Sequence, residues 1–155
     1  MAFRLLVPRN ILEGLIAQAL AEQPLECCGL LAGVREEAKT EEKPAEAVGR
    51  VVRRYPLANA AASPREFLAD SRALFDAYKD MRLHDLDVLA VYHSHPTSAP
   101  VPSRTDLERN GMGDAVVCLI VSLASLPPLV RGWWLGETDY REAEWDIIED
   151  MEPVR

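Results

Sequence analysis

The chain has 155 residues, 48% of them hydrophobic, with 25 acidic side chains against 17 basic ones and a net charge of −8. That is enough apolar material for one domain with a real core, which excludes a disordered chain. The acidic balance argues against nucleic acid or an anionic membrane as the main partner, because those surfaces bind clustered Lys and Arg.

Residues 2 to 7 read as a strand, and Pro8 starts a helix whose Ile11, Leu12, Leu15, Ile16, Ala19 and Leu20 follow helical spacing. This N-terminus lacks the long apolar stretch of a signal peptide, and no run approaches the ~18 apolar residues of a membrane span, so the cytoplasm is the expected compartment. Residues 25 to 34 read as a strand bearing Glu26 at its start, with Cys27 and Cys28 on opposite faces and unable to hold one ion jointly. Three cysteines, two of them adjacent, make a poor disulfide framework and suit a reducing compartment. The stretch from Arg35 to Glu46 offers no apolar face and is expected to be a solvated loop, followed by a strand from Val48 to Leu57. Ser63 is expected to cap a second helix, with Pro64 at its first position and Glu66 at its third. Phe67, Leu68, Leu74, Phe75, Tyr78 and Met81 supply its core stripe.

Leu86 to Tyr92 reads as a mostly buried strand. Strands are also expected at about 115 to 123, with Cys118 in the core, and at 128 to 135, where Trp133 and Trp134 point one ring to each face. Residues 140 to 148 alternate like an edge strand, and the acidic end through Arg155 is expected to fray. No repeat or interdomain linker interrupts the pattern. The fold class is α+β, a central mixed sheet flanked by two main helices.

The chemistry concentrates after the strand at residues 86 to 92. His93 and His95, at i and i+2, face the same way, and after seven intervening residues Ser103 is followed three positions on by Asp106. A return loop stiffened by Pro96, Pro100 and Pro102 can bring that carboxylate back to the imidazoles. Two histidines, one carboxylate and a water form the three-ligand, open-position set of a catalytic zinc site. The plainer readings are strand-end histidines satisfied by hydrogen bonds, and a helix capping box in Ser103-Arg104-Thr105-Asp106; capping and metal binding are compatible. Glu26, an acid entering an apolar run, needs a partner or a task, the plainer reading being a glutamate facing solvent. Thr97 and Ser98 stand where a metallo-β-lactamase-type site would need Asp and His. The His-x-Glu and Pro-Cys-x-x-Cys of nucleobase deaminases are missing, and the chain is too short for an amidohydrolase barrel.

The spacing His93-x-His95, Ser103, Asp106 resembles the JAMM motif of the MPN-plus zinc metallopeptidases, with every motif position filled. Pro24-Leu25-Glu26-Cys27-Cys28-Gly29-Leu30-Leu31 is similar to the Pro-x-Glu-x-Cys-Gly-Leu-Leu form of the short bacterial and archaeal members. Ser63-Pro64-Arg65-Glu66-Phe67 and the run from Tyr92 to Ser103 resemble the bacterial branch that includes the CysO-cysteine peptidase.

The likeness covers roughly residues 3 to 136 and implies a single MPN-like domain over 1–155, with an acidic C-terminal strand and tail from about 137. It further implies one zinc ion per chain, with a bound water, held by His93, His95 and Asp106. Glu26 would be general base and then acid, Ser103 a donor to the developing oxyanion, and Cys28 and Ser94 would border the site without binding the ion. The implied reaction is hydrolysis of a peptide or isopeptide bond after the C-terminal Gly-Gly of a ubiquitin-like protein. The short segment after Asp106 favours a compact partner resembling the sulfur-carrier proteins, released from an amino acid such as cysteine or from a conjugated protein. Two other readings stay open. One is a non-catalytic MPN scaffold, against which the complete ligand set argues; the other is a peptidase of cell-wall or phage-type targets. A homodimer is a candidate assembly.

Overall fold

A computed structural model describes residues 2–150. The chain enters as β1 (Arg4–Pro8), which buries Leu5 and Val7, and turns at Pro8 into α1 (Arg9–Glu22). Leu12, Leu15 and Ala19 form the buried stripe of α1, while Leu20 at the far edge of the predicted face is exposed.

β2 (Cys28–Ala38) and β3 (Glu46–Leu57) form a long antiparallel pair. The expected loop from Arg35 to Glu46 is therefore half strand. Arg35, Glu36 and Glu37 pair with Gly49, Val48 and Ala47, and Arg50 Nε holds Glu36 Oε1 at 3.0 Å. Ladder bonds use backbone groups alone, so an exposed polar ribbon can extend a hairpin without an apolar face. Gly29 is needed where β2 crosses the phenol of Tyr92, since a Cβ there would overlap that ring.

The second helix starts later than expected. α2 (Ser71–Leu83) is capped by Asp70, whose carboxylate accepts from the Ala73 amide at 2.9 Å. Residues 63 to 69 are not helical because their backbone groups are already engaged elsewhere. The Ser63 carbonyl accepts from Glu26 N–H at 2.9 Å, and the Asn59 side chain binds the Glu66 carbonyl and the Leu68 amide, each at 3.0 Å. Ala77 and Met81 carry the packing of α2, whereas Leu68 and Phe75, expected in its core stripe, are 56% and 61% exposed.

β4 (Asp87–His95) runs through both histidines, and α3 (Arg104–Glu108) stops before Asn110-Gly111. β5 (Val117–Ser122) and β6 (Leu129–Leu135) follow. The stretch 140 to 148 is two strands on opposite edges rather than one: β7 (Tyr140–Glu142) pairs with β6, and β8 (Trp145–Ile148) pairs with β1. Between them Ala143 N–H donates to the Gly132 carbonyl at 2.8 Å and the Glu144 carbonyl accepts from Leu5 N–H at 3.1 Å. One chain segment thus touches both edges of an eight-stranded sheet ordered β7-β6-β5-β4-β2-β3-β1-β8, which curls accordingly. The acidic end is tied down as far as Asp150, whose carboxylate accepts from Asn10 N–H at 2.7 Å at the start of α1, where negative charge is favoured. The remainder of the frayed tail expected from the sequence, residues 151–155, lies outside the described residues.

One sheet face buries Leu15 and Ala19 of α1 on Leu31, Val51, Leu89, Leu119 and Trp134. The opposite face packs Ala77 and Met81 of α2 on Cys28, Leu30 and Val88. The two tryptophans divide as expected, Trp134 edge-on to Phe3 at 5.2 Å and Trp133 packed with Cys118 and Ile120. Among the described residues, no helix is long and apolar enough to cross a membrane.

Candidate metal centre

β4 lies between β2 and β5, with His93 paired to Cys28 on one side and Ile120 on the other, so the end of the strand cannot fray. Both imidazoles are consequently buried. The return loop is fixed by more than its prolines. Trp133 Nε1 donates to the Pro100 carbonyl at 2.9 Å, and Ser122 Oγ donates to the Ser98 carbonyl at 2.6 Å. At its end the full capping box forms, with Ser103 Oγ accepting from Asp106 N–H at 3.1 Å and Asp106 Oδ2 accepting from Ser103 N–H at 2.9 Å.

The cap aims the same Oδ2 at the histidines, 3.2 Å from His93 Nε2 and 3.1 Å from His95 Nε2, and the two Nε2 atoms are 3.2 Å apart. Donors on a tetrahedral zinc with bonds near 2.0 to 2.2 Å sit about 3.3 Å from one another, so this triangle has the size the ion requires. His95 Nδ1 lies 2.9 Å from the Ala99 carbonyl and must donate to it, which leaves the Nε2 lone pair free for a metal. His93 is held differently: its ring stacks on Phe67 at 4.7 Å, and its Nδ1 lies 3.9 Å from Cys118 Sγ.

Charge follows this geometry. Burial drives His93 towards the neutral imidazole a metal needs. Burial works against ionisation of Asp106 as well, but hydrogen bonds from both histidines and from Ser103 N–H hold its carboxyl well below the usual carboxylate range. For His95 burial opposes the charge, and the bonds to Asp106 and Ala99 outweigh it, raising the imidazole.

Glu26 precedes β2, and extending the Cys28–His93 register by two residues sets it across from His95. It is only 2% exposed, and its Oε1 has no hydrogen-bond partner among the described residues. Such a buried polar atom calls for an occupant the protein itself does not supply. Burial, opposed by His95 and reinforced by Asp106 and Glu66, pushes its carboxyl up to about 8, near where a general base works best at neutral pH. Ser103 is half-buried, and its capping bond uses an oxygen lone pair, leaving the hydroxyl proton to donate.

The two flanking candidates separate. Cys28 lines the same cleft as His93, but burial pushes its thiol up to about 12, so it stays neutral beside its sulfur contact to the Leu57 carbonyl at 3.7 Å. Ser94 points to the opposite face, where its Oγ accepts from Cys27 N–H at 2.8 Å and stitches β2 to β4. Sequence reasoning missed the supporting contacts from Trp133, Ser122, Phe67 and Asn59, since each joins segments far apart in the chain. An apolar cleft of about 640 Å³ opens beside His93 and Asp106, walled by Leu57, Phe67, Leu74, Tyr78 and Met112.

Residues 8–136 match the family model of prokaryotic homologs of the JAB domain. The chain is 41% identical over 105 residues to a probable TtuB-protein conjugate cleaving protease of Thermus thermophilus, covering 67% of this chain and 62% of that one. It thus spans somewhat less than two thirds of that relative's length. It is 29% identical over 116 residues to the CysO-cysteine peptidase of Mycobacterium tuberculosis, covering 75% and 72% of the two chains. A solution structure of a Desulfitobacterium hafniense protein superimposes with a TM-score of 0.81 at 30% identity, covering 96% of this chain and 95% of that one. With the model matched across most of its length, the chain belongs to the prokaryotic JAB-domain family.

Proposed function

We propose that the protein is a zinc-dependent peptidase that hydrolyses a peptide or isopeptide bond after the C-terminal Gly-Gly of a small ubiquitin-like or sulfur-carrier-like protein. The observation that carries this reading is the buried triangle of His93, His95 and Asp106 beside a buried glutamate whose Oε1 has no partner. The two relatives named above are, by their names, a probable TtuB-protein conjugate cleaving protease and a CysO-cysteine peptidase, which supports a carrier-protein conjugate as the substrate class.

His93, His95 and Asp106 would hold the ion, which when bound polarises a carbonyl and lowers the pKa of water to about 7. Glu26 takes the proton released as water attacks the scissile carbonyl and returns it to the departing amine, so the C–N bond breaks with the amine leaving neutral. Ser103 donates a hydrogen bond from its hydroxyl to the carbonyl oxygen as negative charge builds there, a contact worth about 2.7 to 4 kcal/mol in comparable sites.

The test is cleavage of TtuB and CysO fusions, each joined through Gly-Gly to a reporter, by wild type and Glu26→Gln, before and after chelation and zinc return. Expected are cleavage between Gly-Gly and the reporter, loss on chelation, recovery with zinc, and a fall of roughly 10² to 10⁴ for Glu26→Gln with zinc retained. Chelation without effect would remove the metal from the reading. A fully active Glu26→Gln would mean another group is the base.

A further inference from the structure

Glu26 is placed by a segment remote in sequence, and the placing centres on one amide. Asn59 Nδ2 donates to the Glu26 carbonyl at 2.9 Å and to the Glu66 carbonyl at 3.0 Å. Its Oδ1 accepts from Ala61 N–H and Leu68 N–H, each at 3.0 Å. Only this orientation of the amide gives all four contacts a donor and an acceptor, and all four partners are backbone groups.

Two of those backbone groups, the Glu66 carbonyl and the Leu68 amide, flank Phe67, whose ring stacks on the metal-ligand candidate His93 at 4.7 Å. The same knot holds Ala62 at a φ of +45°, in the left-handed region, with its N–H donating to the Asn59 carbonyl at 3.0 Å. An alanine persists there where its surroundings over-determine the backbone. The next residue, Ser63, supplies the carbonyl that accepts from Glu26 N–H at 2.9 Å. Both peptide groups of Glu26 are thereby tied to the loop that Asn59 organises, while its side-chain Oε1 stays free.

We propose that Asn59 is a positioning residue for the hydrolysis: by binding the Glu26 carbonyl and both flanks of Phe67, its side chain sets the proton-accepting carboxylate and the His93 ring in register. This rests on the assignment of Glu26 as the base. Asn59 itself touches neither the substrate nor the ion, and its effect passes through the loop at residues 59 to 68.

Asn59→Asp separates positioning from folding. It keeps an acceptor for Ala61 and Leu68, and so the turn, but sets a carboxylate oxygen against the Glu26 and Glu66 carbonyls. Asn59→Ala removes both halves of the knot. Each variant is assayed for zinc content, thermal unfolding, and kcat and KM on the TtuB–Gly-Gly–reporter fusion, at a temperature where circular dichroism shows it folded; Asn59→Asp carries the test if Asn59→Ala does not fold.

Expected for Asn59→Asp are full zinc, unchanged KM and a kcat lowered roughly 10- to 100-fold, the range for losing a group that orients another. In a Glu26→Gln background the same substitution should cost clearly less in single-turnover cleavage than it does in wild type, since only its part on the His93 ring remains. A folded, zinc-loaded Asn59→Asp enzyme with wild-type kcat overturns the proposal, as does an undiminished effect on top of Glu26→Gln. Wild-type activity in Glu26→Gln alone would instead refute the base assignment, so the two failures are distinguishable.

Discussion

The site has two walls built on different principles. The wall of β4, the proline loop and α3 is local: His93, His95, Ser103 and Asp106 lie within a short stretch, and the cap that starts α3 also aims the carboxylate. The opposing wall, Glu26 with the loop at residues 58 to 70, is assembled from segments 33 positions apart and joined through the Asn59 amide. A wall made by spacing has its candidate ligands brought close by the chain itself, and Trp133 and Ser122 only pin its return loop from a distance. A wall made by long-range hydrogen bonds depends on the rest of the sheet first being in place.

The largest expected effect breaks the local wall. Asp106→Ala removes the oxygen shared by both imidazoles and half of the capping box, so the purified protein should lose most of its zinc and all measurable cleavage. Elemental analysis decides it, since full zinc retention would mean that the triangle is not the metal site.

Ser103→Ala sharpens the contrast by leaving the candidate ligands His93, His95 and Asp106 alone. Turnover should fall roughly 10² to 10³ with zinc retained, in line with the loss of one oxyanion donor. The cap should cost a further ~0.5 to 2 kcal/mol of stability. A lowered melting temperature at unchanged kcat would reduce Ser103 to its capping role.

The smallest effect addresses the distal wall without metal. Glu26 is held up to about 8 in the fold against an ordinary value near 4.5. The folded state therefore keeps a proton that the unfolded state gives up between those values, and zinc-free protein should lose stability as pH rises through that window. Glu26→Gln has no such proton, so its stability should match wild type near pH 4.5 and exceed it above pH 8. Chemical denaturation of both chelated proteins across the window checks this, and parallel curves would show that Glu26 is not held neutral.

The same division decides what could be read from the sequence. The motif positions were legible because strand period, proline placement and capping chemistry all act over a few residues, and the structure brings His93, His95 and Asp106 together. The helix start at Ser63 misread a capping pattern that is locally sound. Asn59 and Glu26 claim the backbone bonds a helix there would need, so α2 begins at Ser71 under Asp70 instead. The ribbon at Arg35 to Ala38 and the split of residues 140 to 148 were hidden for a related reason. In both cases the pairing partner, not the residue pattern, determines the strand.

That split has a consequence for self-association. β7 and β8 come from one short stretch lying beyond the residues that match the family model, yet they cover opposite margins of the sheet. A chain cut after Gly136 would bare β6 and β1 together, and the two margins differ in sequence and direction. Unlike surfaces join head to tail, and unless the rotation closes a ring such joining continues without limit. The C-terminal segment therefore replaces both margins with strands of three and four residues, and such short edges offer an incoming chain little backbone to pair with.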